Sequence, residues 1–452
     1  MTRLLKSVAR SKRNQDCLTG VEIQLGALLV LAILFGGGGS AYGIYNLIVQ
    51  LAALAILAAN PRLFVIFVLG RPLAMVLLIG LTVALPLVQL VPLPPYVWSA
   101  LPGRDLLFQS FELIGISKSW FPISLAPSRT LTALLSLIPV LAILVLASGL
   151  DRKGWVFVLQ VVVWSGVGLT MLGGLQLLTG NEHFLLFRER VNPSWMYATF
   201  ANHNTAGLFF LLALLAVIAS NFTFERAPHS VWWASFFVGA FAVAIILSQS
   251  RSSMGLLLAV FLVGATIAFR RSKMARLHRI AVALLVLMSC VGVLIALTAD
   301  TRFGESFGRF EDLDNVRPAI WSDTLSSIER FWPIGSGISS FPEVFEVDEA
   351  LENVWAYHAG RAHNDYLEIV QEAGIVGLGL VIAWGFWCAS TWRRGWGGEY
   401  KGQATIGLSG LAVIALQSIV DYPLRNQSIL CMAAIFLSIL TNSVERKSDA
   451  ES

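Results

Sequence analysis

The chain has 452 residues, 56% hydrophobic and 13% charged, with a net charge of +4 and a mean hydropathy of +0.71. A soluble domain carries roughly 25% charged residues, so the composition excludes an ordinary soluble enzyme, and so small a net charge gives no basis for a nucleic-acid partner. Long apolar runs indicate an all-α polytopic integral membrane protein, because helices satisfy their backbone polar groups internally where there is no water.

The first twenty residues hold Arg3, Lys6, Arg10, Lys12 and Arg13 and no cleavage-like site after a short apolar core. They read as a cytoplasmic tail followed by a retained span. A transmembrane helix needs roughly 20 apolar residues. Twelve stretches qualify, at about 22–40, 43–59, 73–91, 130–149, 155–178, 199–219, 231–249, 253–269, 280–298, 374–392, 405–420 and 427–441. The apolar run 63–70 is cut off by Arg71-Pro72 and belongs to the second connection. The four cysteines, Cys17, Cys290, Cys388 and Cys431, lie in the tail or in apolar segments and imply no disulfide framework.

With both termini inside, 20 basic residues fall in inner segments and 12 in outer ones, the sense that the positive-inside rule requires. The stretch 300–372 is then outside. The expected organisation is a cytoplasmic tail (1–20), a membrane domain of nine spans (21–299), a large outer loop of short helices (300–372), spans ten to twelve (373–441) and a second cytoplasmic tail (442–452). The interiors of the spans carry no Asp, Glu, Lys or Arg. Ion-coupled transporters place such groups near the midplane, so this pattern favours an enzyme at the outer boundary, although a carrier of neutral solutes stays open. Eleven of the twelve outer basic residues are arginine. That fits either a bidentate grip on phosphate groups or a general preference for arginine along the chain.

The outer loop holds 15 acidic residues against five arginines. Within it, Ser322 to Phe331 has a helical period with Leu325, Ile328 and Phe331 as its apolar face, and a helix is expected to begin near Tyr366 and run into the tenth span. Several polar residues there and nearby have two readings each. Arg251, at the outer end of the seventh span, is either a snorkelling interface residue or a phosphate clamp. Arg317 and Trp321 are four apart and share a helix face; they brace the loop as a cation–π pair or contact an anionic ligand. His363 has the residue type of a general base, with an unperturbed pKa of about 6.5, or packs at the start of the tenth helix; Asn364 and Asp365 are expected to cap that helix.

Asn202, His203 and Asn204 lie at the outer end of the sixth span, where buried amides bind sugar hydroxyls or phosphate oxygens, or else bond neighbouring helices. Arg129, near Trp120 and Ser124 in the first outer loop, is a further basic contact or an anchor for the fourth span. Arg425 closes the turn Asp421-Tyr422-Pro423-Leu424-Arg425. Asp312-Leu313-Asp314 spells a D-x-D, but two carboxylates at this spacing are expected by chance in so acidic a loop. His358 and His363 are five apart, which is not a metal-binding helical spacing. No metal or other cofactor is expected.

Four segments in this order resemble the O-antigen ligase and Wzy-type polysaccharide polymerase family of bacterial membrane glycosyltransferases. They are Thr199-Phe200-Ala201-Asn202-His203-Asn204, Ser248-Gln249-Ser250-Arg251-Ser252, Arg317-Pro318-Ala319-Ile320-Trp321, and His363-Asn364-Asp365-Tyr366-Leu367-Glu368 followed by Ala373-Gly374. The resemblance covers roughly 195–425. It implies metal-independent transfer of a glycan from a polyprenyl (undecaprenyl) pyrophosphate carrier to a sugar hydroxyl. It casts His363 as the base and Arg251 and Arg317 as catalytic contacts to the diphosphate; Asn202, Asn204, Trp321, Arg129 and Arg425 are the expected substrate-binding residues. It also implies a multi-pass protein of the bacterial inner membrane with its site facing the periplasm. The partners implied are the lipid-linked donor, a glycan or lipid A-core acceptor, the bilayer and other polysaccharide assembly proteins. The motifs do not separate polymerase from ligase; the lack of a basic patch in the outer loop leans toward polymerase. A small-solute transporter and a non-catalytic scaffold of an export complex remain the rival classes.

Overall fold

A computed structural model describes residues 20–187, 191–224, 231–271, 305–354, 359–396 and 400–451. The expected tail of 1–19, the span 280–298, Cys17, Cys290 and His358 lie outside the described residues, as do the side chains of Asp312 and Asp314.

Among the described residues, 77% are helical. The only strand pairing among the described residues is a two-residue antiparallel ladder, Pro92–Leu93 with Phe121–Pro122. In chain order the helices are α1 (Gly20–Phe35), α2 (Gly43–Ala59), α3 (Pro61–Gly70), α4 (Leu73–Gln89), α5 (Pro95–Trp98), α6 (Asp105–Leu113), α7 (Pro127–Leu135), α8 (Leu137–Ala147), α9 (Arg152–Leu178), α10 (His203–Ala219), α11 (Val231–Leu247), α12 (Arg251–Arg271), α13 (Glu305–Phe331), α14 (Phe341–Asp348), α15 (Asp365–Gly395), α16 (Lys401–Gln417) and α17 (Gln427–Glu451).

Among the described residues, four helical segments are long and apolar enough to cross a membrane: Gly20–Gly39, Pro127–Ala147, Arg152–Leu178 and Asp365–Gly395. The pair α2 and α3, bent by 84° at Asn60, makes a fifth if it counts as one. Five shorter apolar helices accompany them, including α4 and α10. The run 63–70 forms α3 and turns away from α2, because Pro61 supplies no N–H to continue the preceding ladder. α10 is apolar on every side and is buried from Thr205 to Ala219, as expected of a helix at the centre of a bundle. It packs against α9, α11, α12 and α16. Glu22, at the edge of the first expected span, is buried where α1 meets Gly154 of α9.

In the 300–372 stretch the first described element is the 27-residue α13 rather than a short helix. The expected helix over Ser322 to Phe331 lies within it, and Phe331 is buried as part of a largely polar inner face. Ile320, Asp323, Thr324, Ser327 and Phe331 point inward, whereas Leu325 is 51% exposed. Polar pairing decides this. Ser327 donates to Asp348 Oδ2 at 2.7 Å, Arg330 pairs with Asp348 at 2.6 Å, and Asp323 Oδ2 accepts from Asn353 Nδ2 at 3.0 Å. A buried polar seam with its partners in place outweighs one leucine.

α15 begins near Tyr366 as expected but breaks at Gly374, where φ is 54° and ψ is −139°, a region open almost only to glycine. The break frees the carbonyls of Gln371 and Glu372. They accept from the amides of Ser336, at 3.0 Å, and Gly337, at 2.8 Å, while Ile375 N donates to Pro333 O at 3.0 Å. The Gly335-Ser336-Gly337 turn thus fastens the outer segment to α15. Placing alanine at Gly374 forces a Cβ onto the Pro333 carbonyl, so Gly374→Ala is expected to cost about 2–4 kcal/mol from backbone strain and overpacking. A thermal unfolding midpoint within a degree of wild type in detergent would refute this.

Candidate active site

Three helix N-termini carry the polar residues singled out in the sequence. Asn202 caps α10, its Oδ1 accepting from Asn204 N at 2.8 Å. Ser250 precedes α12, its Oγ accepting from Ser253 N at 3.4 Å. Asn364 caps α15, its Oδ1 accepting from Tyr366 N at 3.0 Å and Leu367 N at 3.1 Å. Each N-terminus presents the positive end of a helix dipole. Side chains join the three. His203 Nδ1 lies 2.9 Å from the Ser248 carbonyl, which ties α10 to the turn before α12. Asn202 Nδ2 donates to Asp421 Oδ2 at 3.3 Å. Asp421 Oδ1 in turn lies 3.4 Å from His363 Nδ1, beside α15.

His363 sits in the left-handed region, with φ of 51°, and its side chain is 35% exposed. Asn364, not His363, caps α15. The ring packs edge-on against Tyr422, with centroids 5.1 Å apart. The separation from Asp421 is within ion-pair range but too long for a good hydrogen bond, as is common before a substrate tightens such a pair. The buried Asp421 carboxylate thus faces one edge of the partly exposed imidazole. Asp365, expected beside Asn364 as a cap, does not cap: its Oδ2 accepts from Ser418 Oγ and Leu424 N, both at 3.0 Å. The carboxylate facing His363 is Asp421, 58 positions further along the chain.

Arg251 is the first residue of α12, not the end of the seventh span. Arg317 lies on α13, and both side chains are half-buried. Printed contacts aside from these are not needed to link the segments: His203 bonds the Ser248 carbonyl, three residues before Arg251, and Asn202 bonds Asp421, which faces His363. Trp321 does not stand free beside Arg317; its Nε1 donates to Ala362 O at 2.9 Å and braces the backbone next to His363. Asn204 is a backbone element here, its carbonyl accepting from Gln417 Nε2 at 3.4 Å.

Beneath the His363 loop lies a buried charge cluster. Arg425 Nη1 donates to Glu372 Oε2 at 2.8 Å, and its Nε lies 3.4 Å from both Asp365 Oδ1 and Glu368 Oε2. Arg361 Nη1 reaches Glu368 Oε2 at 3.2 Å, and Ala362 N donates to Glu368 Oε1 at 2.9 Å. Burial alone would lower the Arg425 pKa, but Glu372, Glu368 and Asp365 outweigh it and hold the guanidinium above its ordinary value. Burial first, and then the Asp421 charge, push the Tyr422 phenol up, so it stays protonated beside His363. Arg129 forms an ion pair with Glu343. Arg129, Arg361, Asp365 and Arg425 edge a cavity of about 640 Å³ whose remaining walls are mostly apolar, among them Leu141, Ile369, Trp384 and Leu411.

Residues 236–382 match the O-antigen ligase family (Wzy_C). The match contains Arg251, Arg317, Trp321 and His363, and so three of the four segments that carried the resemblance; Asn202 to Asn204 and the Asp421–Arg425 turn fall outside it. Together with the apolar helices, the ligase-family segment supports a glycan-transferring membrane enzyme of polysaccharide biosynthesis. No curated protein matches the chain.

Proposed function

We propose that the protein transfers a glycan from a polyprenyl (undecaprenyl) pyrophosphate carrier to a sugar hydroxyl, by metal-independent direct displacement. The observation that carries this reading is the His363–Asp421 pair, joined through Asn202 and His203 to the turn that opens α12 at Arg251. In the displacement, the acceptor oxygen attacks the anomeric carbon and its proton passes to His363. The bond from that carbon to the carrier's diphosphate breaks, and the leaving diphosphate takes the electron pair. Arg251, at the N-terminus of α12, and Arg317 neutralise the charge that builds there. Asn202 holds Asp421 behind His363, Asn204 and Trp321 position the surrounding backbone, and Arg425 sets the His363 loop on its carboxylates. Arg129, with Arg361, guards the mouth of the apolar cavity, which suits the isoprenoid chain of the carrier.

In this reading twelve spans cross a bacterial inner membrane and the site faces the periplasm, where carrier, acceptor and other assembly proteins meet. The outer stretch 300–372, with 15 carboxylates against five arginines, favours an acceptor without phosphate groups. That favours chain polymerisation over ligation to a phosphorylated lipid A core.

The test is purified protein in detergent with one polyprenyl-pyrophosphate-linked repeat unit and no other acceptor, read as glycan length on a gel. A ladder is expected. Transfer only after a lipid A-core acceptor is added would make the protein a ligase, and no transfer to either acceptor would end the enzymatic reading. In the same assay Arg317→Ala is expected to slow transfer by about 10²–10³-fold, the usual loss for one transition-state donor. An unchanged rate would remove Arg317 from the mechanism.

A further inference from the structure

We infer that His203 is a saccharide-binding residue, its Nε2 accepting a hydrogen bond from a hydroxyl of the sugar being transferred. The inference deepens the transfer reading and rests on it. His203 lies outside the segment that matches the ligase family.

The tautomer follows from the bonding. A carbonyl oxygen only accepts, so the 2.9 Å contact with Ser248 requires the proton on Nδ1. Nε2 then carries the lone pair. The ring is held in place. The Trp195 indole lies against it with centroids 4.0 Å apart, and Tyr197 meets it edge-on at 6.3 Å. Among the described residues Nε2 has no hydrogen-bond partner, and the side chain is only half-buried.

Position selects the ligand. His203 bonds the Ser248 carbonyl, three residues before Arg251, and its neighbour Asn202 bonds Asp421, which faces His363. On the transfer reading, a side chain on the turn between the Arg251 and His363 segments lies beside the sugar that moves between them. A lone pair there repels phosphate oxygens and needs a donor, and the donors that a glycan offers are its hydroxyls. Asn202, one residue earlier, is already committed to Asp421 and to capping α10, whereas the Nε2 acceptor of His203 is not used by that turn's own bonding.

Two variants separate binding from support. In His203→Asn the amide nitrogen can replace Nδ1 toward Ser248, but nothing replaces Nε2. In His203→Gln the amide oxygen can reach toward the Nε2 position. Binding is measured for a polyprenyl-pyrophosphate-linked repeat unit and for bare polyprenyl diphosphate, alongside thermal unfolding. For His203→Asn the expected result is an unchanged unfolding midpoint, unchanged affinity for the bare diphosphate, and about tenfold weaker binding of the glycan-bearing lipid, the worth of one hydrogen bond. His203→Gln should recover part of that loss. Wild-type affinity for the glycan-bearing lipid in His203→Asn overturns the inference. So does equal weakening toward both lipids, which would place His203 on the diphosphate. Wild-type protein that neither binds nor transfers the glycan-bearing lipid would instead refute the transfer reading on which the role depends.

Discussion

Replacing His363 with alanine is expected to slow glycan transfer by about two to four orders of magnitude, the usual contribution of a positioned general base, while the protein stays folded in the membrane. The separation of activity from stability follows from the local structure. α15 is capped by Asn364, and the preceding backbone is held by Glu368 through Ala362 N and Arg361, so neither restraint uses the imidazole. The ring itself is partly exposed and makes an edge contact with Tyr422. Asp421→Asn tests the other half of the pair. An amide can keep the contact with Asn202 but cannot stabilise an imidazolium, so transfer should fall while binding of the donor lipid is retained. Single-turnover rates with a labelled lipid-linked repeat unit, measured beside unfolding midpoints, decide the matter. Wild-type rates in His363→Ala would sink the mechanism, and a large drop in its midpoint would recast His363 as a structural residue.

Arg425→Ala is expected to destabilise the fold by about 3–5 kcal/mol, the range for removing one partner of a buried ion pair. The geometry supports the upper part of that range. Asp365, Glu368 and Glu372 are buried, and Arg425 contacts all three. Without it, Arg361 faces them alone, and its measured reach is to Glu368. Arg425→Lys keeps the charge but not the planar fork, and should fall between wild type and Arg425→Ala. The readout is the fraction of properly folded protein extracted and its unfolding midpoint in detergent. If Arg425→Ala unfolds like wild type yet loses donor binding, Arg425 belongs to the substrate and not to the scaffold.

Parts of this site were legible without coordinates. Asp365, Glu368 and Glu372 stand at i, i+3 and i+7, so a helix starting near Tyr366 had to line up three carboxylates on one face. The positions of Arg251, Arg317 and His363 relative to apolar runs were also readable, and the matched segment 236–382 contains all three. The helix over Ser322 to Phe331 was readable, but not that polar residues share its inner face: Asp323 and Ser327 are buried on α13 by contacts to residues 21 to 30 positions away, whereas Leu325 is exposed. The glycine run Gly36–Gly39, in sequence only a short low-complexity segment, is a close-packing device. The Gly37 carbonyl accepts from Ala201 N at 3.1 Å and Asn426 Nδ2 at 2.9 Å, which draws the turns flanking α10 and α17 together.

Sequence by itself determined that the chain is mostly helical and apolar enough for a membrane, that a helix begins near Tyr366, and which residue types stand close to the ends of the apolar runs. These follow from composition, periodicity and capping, which act over a few neighbouring residues. Tertiary structure decided what each charge does. Among arginines that look alike in sequence, Arg129 is paired with Glu343 and Arg425 with three carboxylates, while Arg251 opens α12 next to the turn that His203 bonds. It also assigned Asp421, rather than the adjacent Asp365, to His363. The physical reason is the low dielectric of the interior. A buried charge must be matched by an opposite charge or a hydrogen bond at close range, and packing between distant segments, not local spacing, determines which partner is close.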